Sequence, residues 1–336
     1  MTVREAFKEF ASELEIDEPT VKEAKRLHEE ARAALEDELT GCRRTFLSGS
    51  YPRNTRLAPL DDIDIIAVVD STAPWNDDPS AALAEVGEIV CKVFSGSRYE
   101  LGRHAAKVRD IESTIDDVHL DVVVARETGD GTILEISERE PTNGWIECNP
   151  EAHAEKLSRT NAEWHGRVVP VIKMIKHWNR CEPNEERRLP SFLVEAIALH
   201  AFSGSGSLDT PEMVHRYFDF AAEKIKTPTT SPAVPNGFVD GDMEDSRRQD
   251  LSQRLRRAAT HAQEALDIEP DDDAGAHEIW YRLFADPFPK PDAEARKAEL
   301  AAHLRANPAA SIAGGTITTA THGRSSVPGR AYGQES

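Results

Sequence analysis

The run Asp62-Ile63-Asp64-Ile65-Ile66-Ala67-Val68-Val69 sets two carboxylates into a segment otherwise built of Ile, Val and Ala. Ile and Val at this density favour a buried strand. A buried charge without a partner costs several kcal/mol, so the fold must bring cations or donors to it. In a strand, residues i and i+2 share a face. Asp62 and Asp64 therefore point the same way, roughly 6.5–7 Å apart along the strand. Asp61 faces the other way and reads as a turn residue, and an isolated Asp62 also fits a turn. A second run, VHLDVVVA, repeats the pattern with Asp121 between Leu120 and Val122. One such Asp could be a satisfied structural residue. Two strands carrying Asp62, Asp64 and Asp121 inward point instead to a metal site. Oxygen ligands favour Mg²⁺ or Mn²⁺ over zinc. Three carboxylates can hold two ions about 4 Å apart, as in two-metal phosphoryl transfer.

Gly49 and Ser50 precede Asp62 by a dozen positions. Glycine lets the backbone approach a phosphate, and serine offers a hydroxyl and an amide. A helix starting near Pro52 would add partial positive charge towards an anion. Gly-Ser alone says little; followed by Asp-x-Asp and a third Asp in an apolar strand, it reads as a phosphate loop. Arg53 and Thr55 could close over phosphates, or Arg53 could cap a surface turn.

The elements follow an α+β plan. The first 40 residues, with VKEAKRLHEEARAALEDEL, are helical. Strands are expected at RTFLSG, DIDIIAVVD, HAAKVRDI and VHLDVVVA. A helix over DDPSAALAEVGEIVCKVF is marked by an Asp cap, Pro79 in the first turn and Ser95-Gly96 beyond the end. From Thr142 helical patterns dominate, from EWHGRVVPVIKMIKHWNR, where Pro170 sets a start or a kink, to PDAEARKAELAAHLRAN. The expected division is N-terminal helices (1–40) packing on a helical lobe, a catalytic core (41–141), the helical lobe (142–307) and a flexible tail (308–336), rich in Gly, Ser and Thr. In VIKMIKHW, Lys173 and Lys176 lie three apart and share a flank; they read as two solvated lysines or as a pair facing phosphate. Phe192 reads as core on pattern alone. SGSGS at 203–207 has no lysine at P-loop spacing and is a loop.

The formal net charge is −20, which repels nucleic-acid backbones and favours small-molecule substrates. It also fits a salt-rich host. The four cysteines have no metal-knuckle spacing. The N-terminus lacks an apolar secretory core and no stretch reaches membrane-spanning length, so a cytoplasmic protein without membrane partners is expected.

On Gly49, Ser50, Asp62, Asp64 and Asp121 the chain resembles the nucleotidyltransferase superfamily of polymerase-beta-like folds. PVIKMIKHWNR…LPSFLVEAIAL looks like the spine and following helix of oligoadenylate synthases and cyclic GMP-AMP synthase. GSYPRNTRL and GWIECNPEAHAEKLSRTN look like their bacterial relatives, the cGAS/DncV-like nucleotidyltransferases (CD-NTases) of anti-phage signalling (CBASS). The resemblance covers roughly residues 40–205. It implies a polymerase-beta-like mixed-sheet lobe with an oligoadenylate-synthase-like helical lobe. It implies metal-binding acids at Asp62, Asp64 and Asp121 holding two Mg²⁺ or Mn²⁺ ions, and a phosphate loop at Gly49 and Ser50. It further implies a triphosphate contact at Lys176, a polar neighbour at Ser191 and a base-stacking aromatic at Phe192. The implied activity joins ribonucleoside triphosphates, ATP among them, into a cyclic di- or oligonucleotide with release of pyrophosphate. A regulatory protein partner or C-terminal conjugation would accompany it. No Cys/His zinc thumb is present, so activation by double-stranded DNA and extended nucleic-acid binding are not expected. The competing readings are an RNA-directed transferase of CCA-adding or poly(A) type, which needs a basic track, and a catalytically silent nucleotide-binding interaction protein.

Overall fold

The computed structural model describes residues 1–70, 73, 78–129, 131–139, 144–292, 297, 301 and 305, and the backbone of 311–313 and 316–318. Among these, seven strands form one mixed sheet. Strand β1 (Cys42–Leu47) runs antiparallel to β2 (Asp62–Val69), and β2 runs parallel to β5 (His119–Thr128). The first half of β5 pairs with β4 (Ala106–Arg109), which pairs with β3 (Arg98–Leu101). Its second half pairs with β6 (Ile133–Glu138), and β6 pairs with β7 (Gly144–Cys148).

Strand alternation resolves the puzzle of the acids. Ile63, Ile65, Ala67 and Val69 of β2 and Leu120, Val122 and Val124 of β5 enter one core. That core is completed by helices α2 (Glu18–Glu38) and α3 (Pro79–Val93), which cover the sheet. The other parity of the same strands faces away from the helices. There, Ile66, Val68 and Ala125 form a small separate cluster with Leu134. Asp62, Asp64 and Asp121 share this second face. Helix α3 has the expected punctuation: Asp78 accepts from the amides of Ser80 and Ala81, and Pro79 occupies the first turn.

The helical lobe comprises α4 (Pro150–Glu163), α5 (Val168–Arg180), α6 (Ser191–Ala201), α7 (Thr210–Lys224), α8 (Asp245–Ile268) and α9 (Asp273–Phe284). Pro170 lies in the first turn of α5, where its missing amide breaks no helical bond. Helix α1 (Val3–Glu13) starts with a Thr2/Glu5 capping box and buries Phe7 and Phe10 against Trp280, Phe284 and Phe288. The expectation that both N-terminal helices pack on the helical lobe holds for α1 alone, because the apolar stripe of α2 (Ala24, Leu27, Ala31, Leu35) belongs to the sheet core. The core-to-helix boundary also moves. Strand β7 extends the sheet to Cys148, beyond the expected end at 141.

Most of the helix expected at 291–307 and of the tail from 308 lies outside the described residues. Within that stretch a short antiparallel pair joins Ser311–Ala313 to Thr316–Thr318.

Candidate active site

Asp64 stands opposite Asp121 across the parallel β2–β5 register, with Asp62 one pleat earlier. Burial pushes the Asp64 carboxyl up to about 7, and the charges of Asp62 and Asp121 add to it. Burial also raises Asp62, followed by the neighbouring charges of Asp61 and Asp121. Gly49 explains the fit of the preceding loop. Its φ is +65°, and a Cβ placed there would lie 1.5 Å from Asp64 Oδ2. The loop is pinned to the strand by the Ser48 amide donating to the Asp64 carbonyl at 2.9 Å. Gly49 therefore makes room first for a carboxylate. Residues 49–54 are turns, closed by the Thr55 amide on the Ser50 carbonyl at 3.0 Å, and no helix starts at Pro52.

Asp121 Oδ2 accepts from Lys107 Nζ at 3.0 Å, while its buried Oδ1 makes no hydrogen bond among the described residues and has His119 Nε2 3.5 Å away. Carboxylate oxygens on one face, mutually repelling, with one buried oxygen unsatisfied, form a donor set that suits a hard divalent ion. Among the described residues no three acidic, His or Cys side chains converge as a ready-made metal triad. The donor chemistry fits a cation; the convergence is incomplete.

Asp62 and Asp64 line a cavity of about 1080 Å³ between sheet and helices, together with Gly49, Ser50, Ser191 and Phe192 among others; Asp121 shares their sheet face but is not among the lining residues. Phe192 is 39% exposed and Phe238, on the loop before α8, is 58% exposed, so two large aromatics stand uncovered in one cavity wall. The pattern-based expectation of a core Phe192 fails because position 192 lies on the outer side of the first turn of α6. Ser191, the first residue of that helix, is exposed beside it.

Of the two lysines, only Lys176 lines the cavity. Lys173 is 1% exposed and binds Glu15 at 2.5 Å, so the expected pair does not face one ligand. Lys176 Nζ donates to Glu195 Oε1 at 2.6 Å and to the carbonyl and hydroxyl of Thr55 at 3.2 and 3.1 Å. Glu195 is fully buried and also accepts from Arg53 Nε and Thr55 Oγ1, both at 2.6 Å, with His153 Nε2 at 3.3 Å. Burial alone would raise its carboxyl, but Lys176 and Arg53 hold it well below the ordinary range. Sequence reading missed Glu195. Its signal was available, since SFLVEAIAL sets a carboxylate in an apolar run just as DIDII does.

The mixed sheet with its flanking helices has the polymerase-beta-like fold. Residues 1–161 match the family model for the Second Messenger Oligonucleotide or Dinucleotide Synthetase domain (SMODS). A cyclic AMP-AMP-AMP synthase of an Acinetobacter strain is 27% identical over 310 residues, covering 86% of each chain. The structure of E. coli MS115-1 CdnC with ATP shares the fold at a TM-score of 0.68 and 18% identity, covering 85% of this chain and 99% of that one. The E. coli CdnC:HORMA-deltaN complex does so at 0.66 and 18%, covering 85% and 98%. Over its first 161 residues the chain is thus similar to the SMODS domain, over most of its length to a cyclic oligonucleotide synthase, and it shares the fold of the CdnC structures.

Proposed function

We propose that this chain condenses ribonucleoside triphosphates, ATP among them, into a cyclic di- or oligonucleotide and releases one pyrophosphate for each bond formed. The observation that carries this reading is the common face of Asp62, Asp64 and Asp121, of which Asp62 and Asp64 line a cavity with exposed aromatics in its wall. Cavities of about 300–1,000 Å³ hold one drug-sized ligand, so about 1080 Å³ is ample for a nucleoside triphosphate. The likeness to a cyclic AMP-AMP-AMP synthase supports adenine as a base that is used.

In this reading Asp62, Asp64 and Asp121 hold Mg²⁺ or Mn²⁺, two ions in all. When bound, such ions lower the pKa of an attacking hydroxyl and offset charge on the leaving pyrophosphate. Gly49 lets the loop close on the acids, and Ser50 presents its hydroxyl and amide to the phosphates. Phe192 offers a face for a base, with Ser191 as its polar neighbour. The protein works in the cytoplasm in anti-phage signalling. A regulatory protein partner is supported by the HORMA-deltaN complex of the E. coli relative. The formal charge of −20 argues against an RNA track.

The test is incubation with the four ribonucleoside triphosphates and Mg²⁺ without RNA. Soluble, phosphatase-resistant products together with pyrophosphate are expected, and chelator should abolish both. Products found only as extensions of added RNA would replace this reading with an RNA-directed transferase.

A further inference from the structure

We propose that Lys107 is a positioning residue that holds Asp121 in reserve, tying the third acid outside the cavity and giving it up when a divalent ion binds. The inference rests on the nucleotide-joining reading above, which calls for that ion, and it names the residue that opposes its entry.

Strand β4 puts Lys107 where it can do this. Ala106 and Val108 enter the core under the helices, so Lys107 between them belongs to the face of the sheet that carries the acids. In the antiparallel β4–β5 register it stands directly opposite Asp121. Its Nζ donates to Asp121 Oδ2 at 3.0 Å. Among the described residues Lys107 is the one cation bonded to any of the three acids. His119 Nε2 lies 3.5 Å from Asp121 Oδ1 but makes no hydrogen bond to it.

The acid that is bonded is also the acid that is out of place. Asp62 and Asp64 line the cavity and Asp121 does not. The incomplete convergence of the acids thus coincides with the one ammonium bond. To share an ion with Asp62 and Asp64, the Asp121 carboxylate must turn towards the cavity, and turning pulls Oδ2 from Lys107. A divalent ion and an ammonium on one carboxylate also repel each other. The lysine can leave at little cost. Its side chain is 36% exposed against 13% for Asp121, and this bond is the only one its ammonium makes among the described residues. A Cβ on Gly102 would lie 3.4 Å from Lys107 Cε, so the glycine leaves the stem room to move. Released, the ammonium is hydrated strongly by water. Without an ion, the same bond spares the face three unpaired like charges.

The experiment titrates the full chain with Mn²⁺ without nucleotide, reading the free ion by electron paramagnetic resonance, and follows thermal unfolding in EDTA and in saturating Mn²⁺. Lys107→Met is expected to bind Mn²⁺ at least about fivefold more tightly, the lower end for a unit charge a few ångströms from an ion. The same variant should melt earlier than wild type in EDTA, where Asp121 has lost its cation, and close that gap in Mn²⁺. A lysine with a merely structural role would lower stability in both conditions and would not tighten the ion. Lys107→Gln removes the charge but keeps a donor; it should show the same gain, and it carries the test if the Met variant does not fold. Lys107→Arg keeps the charge and should stay within about twofold of wild type. In an Asp121→Asn background, Lys107→Met should gain about twofold or less, because no carboxylate is left to release. Mn²⁺ affinity that is unchanged or weaker in the uncharged variants overturns the proposal, as does the full gain in the Asn background. If wild type still makes cyclic product in that case, the function stands and only this role falls. Wild type that binds no Mn²⁺, with or without α,β-methylene ATP, and makes no product overturns both.

Discussion

Replacing Asp64 by Asn should stabilise the metal-free protein, by an amount set by pH. The Asp64 carboxyl titrates at about 7, held up by burial and then by Asp62 and Asp121. An ordinary aspartate titrates near ~3.9, and one unit corresponds to about 1.36 kcal/mol. The full shift is therefore worth about 4 kcal/mol, and side-chain relaxation brings the expected effect to roughly 2–4 kcal/mol. The sign follows from which state holds the proton. The folded state binds it more tightly than the unfolded one, so the contribution to stability is intact below about pH 3.9. It is lost as pH rises towards about 7 and is flat above. Asn at this position does not titrate. The variant-minus-wild-type gap should thus be near zero at pH 4, grow through pH 5 and 6, and level off above 7. At about 2.1 cal/mol/K per residue, unfolding of a chain of this size changes entropy by about 0.7 kcal/mol/K, so the plateau corresponds to roughly 3–6 °C in Tm. The assay is thermal unfolding in EDTA across that pH range, repeated with Mg²⁺ at pH 8. There wild type should gain stability through binding and the variant should gain little. A gap that does not change with pH, or an Asn variant less stable than wild type in EDTA at pH 8, would refute the idea that Asp64 is an uncompensated buried charge.

Asp121→Asn should lower pyrophosphate release at least ~10²-fold, within the several kcal/mol assigned to metal stabilisation; near-normal turnover would remove it from the site. Gly49→Ala should abolish turnover, because the added methyl would meet Asp64 Oδ2 at 1.5 Å on a backbone with φ +65°; an active, stable Ala variant would mean that the loop is free to re-form. Glu195→Ala leaves two buried cations unpaired, and urea titration should show a loss of roughly 3–5 kcal/mol; a loss under 1 kcal/mol would show that water already reaches them. Phe192→Ala should raise KM for the stacked nucleotide by about tenfold or more, following the ~1–3 kcal/mol of a base–aromatic contact, and an unchanged KM would leave the base to Phe238.

Carboxylates in apolar runs were the legible part of this sequence. Period-two alternation placed Asp62 and Asp64 on one face, and the register of β2 with β5 adds Asp121 to it. Helix punctuation was legible where caps were strong, as at Asp78-Pro79. Strands β3, β6 and β7 were not foreseen; RYEL and GWIEC are too short for alternation to stand out. Lys173 and Lys176 show another limit. Their spacing puts them on one flank of a helix, but their long side chains end at different carboxylates, Glu15 and Glu195, on different elements. No local pattern encodes which acid the fold delivers to which lysine.

Glu195 and Lys176 belong to the helical lobe, while Arg53 and Thr55 belong to the loop that carries Gly49 and Ser50. Glu195 meets both of its cations only when the two parts are together. This constrains how such enzymes can be recombined. A chimera that joins this sheet lobe to the helices of a distant synthase inherits an arginine without its acid, and the reciprocal exchange an acid with only one of its two cations, unless the loop travels with the helices. The natural cut for exchanging parts therefore lies upstream of Arg53, inside what looks like the catalytic half, and not at the sheet-to-helix junction where the secondary structure changes.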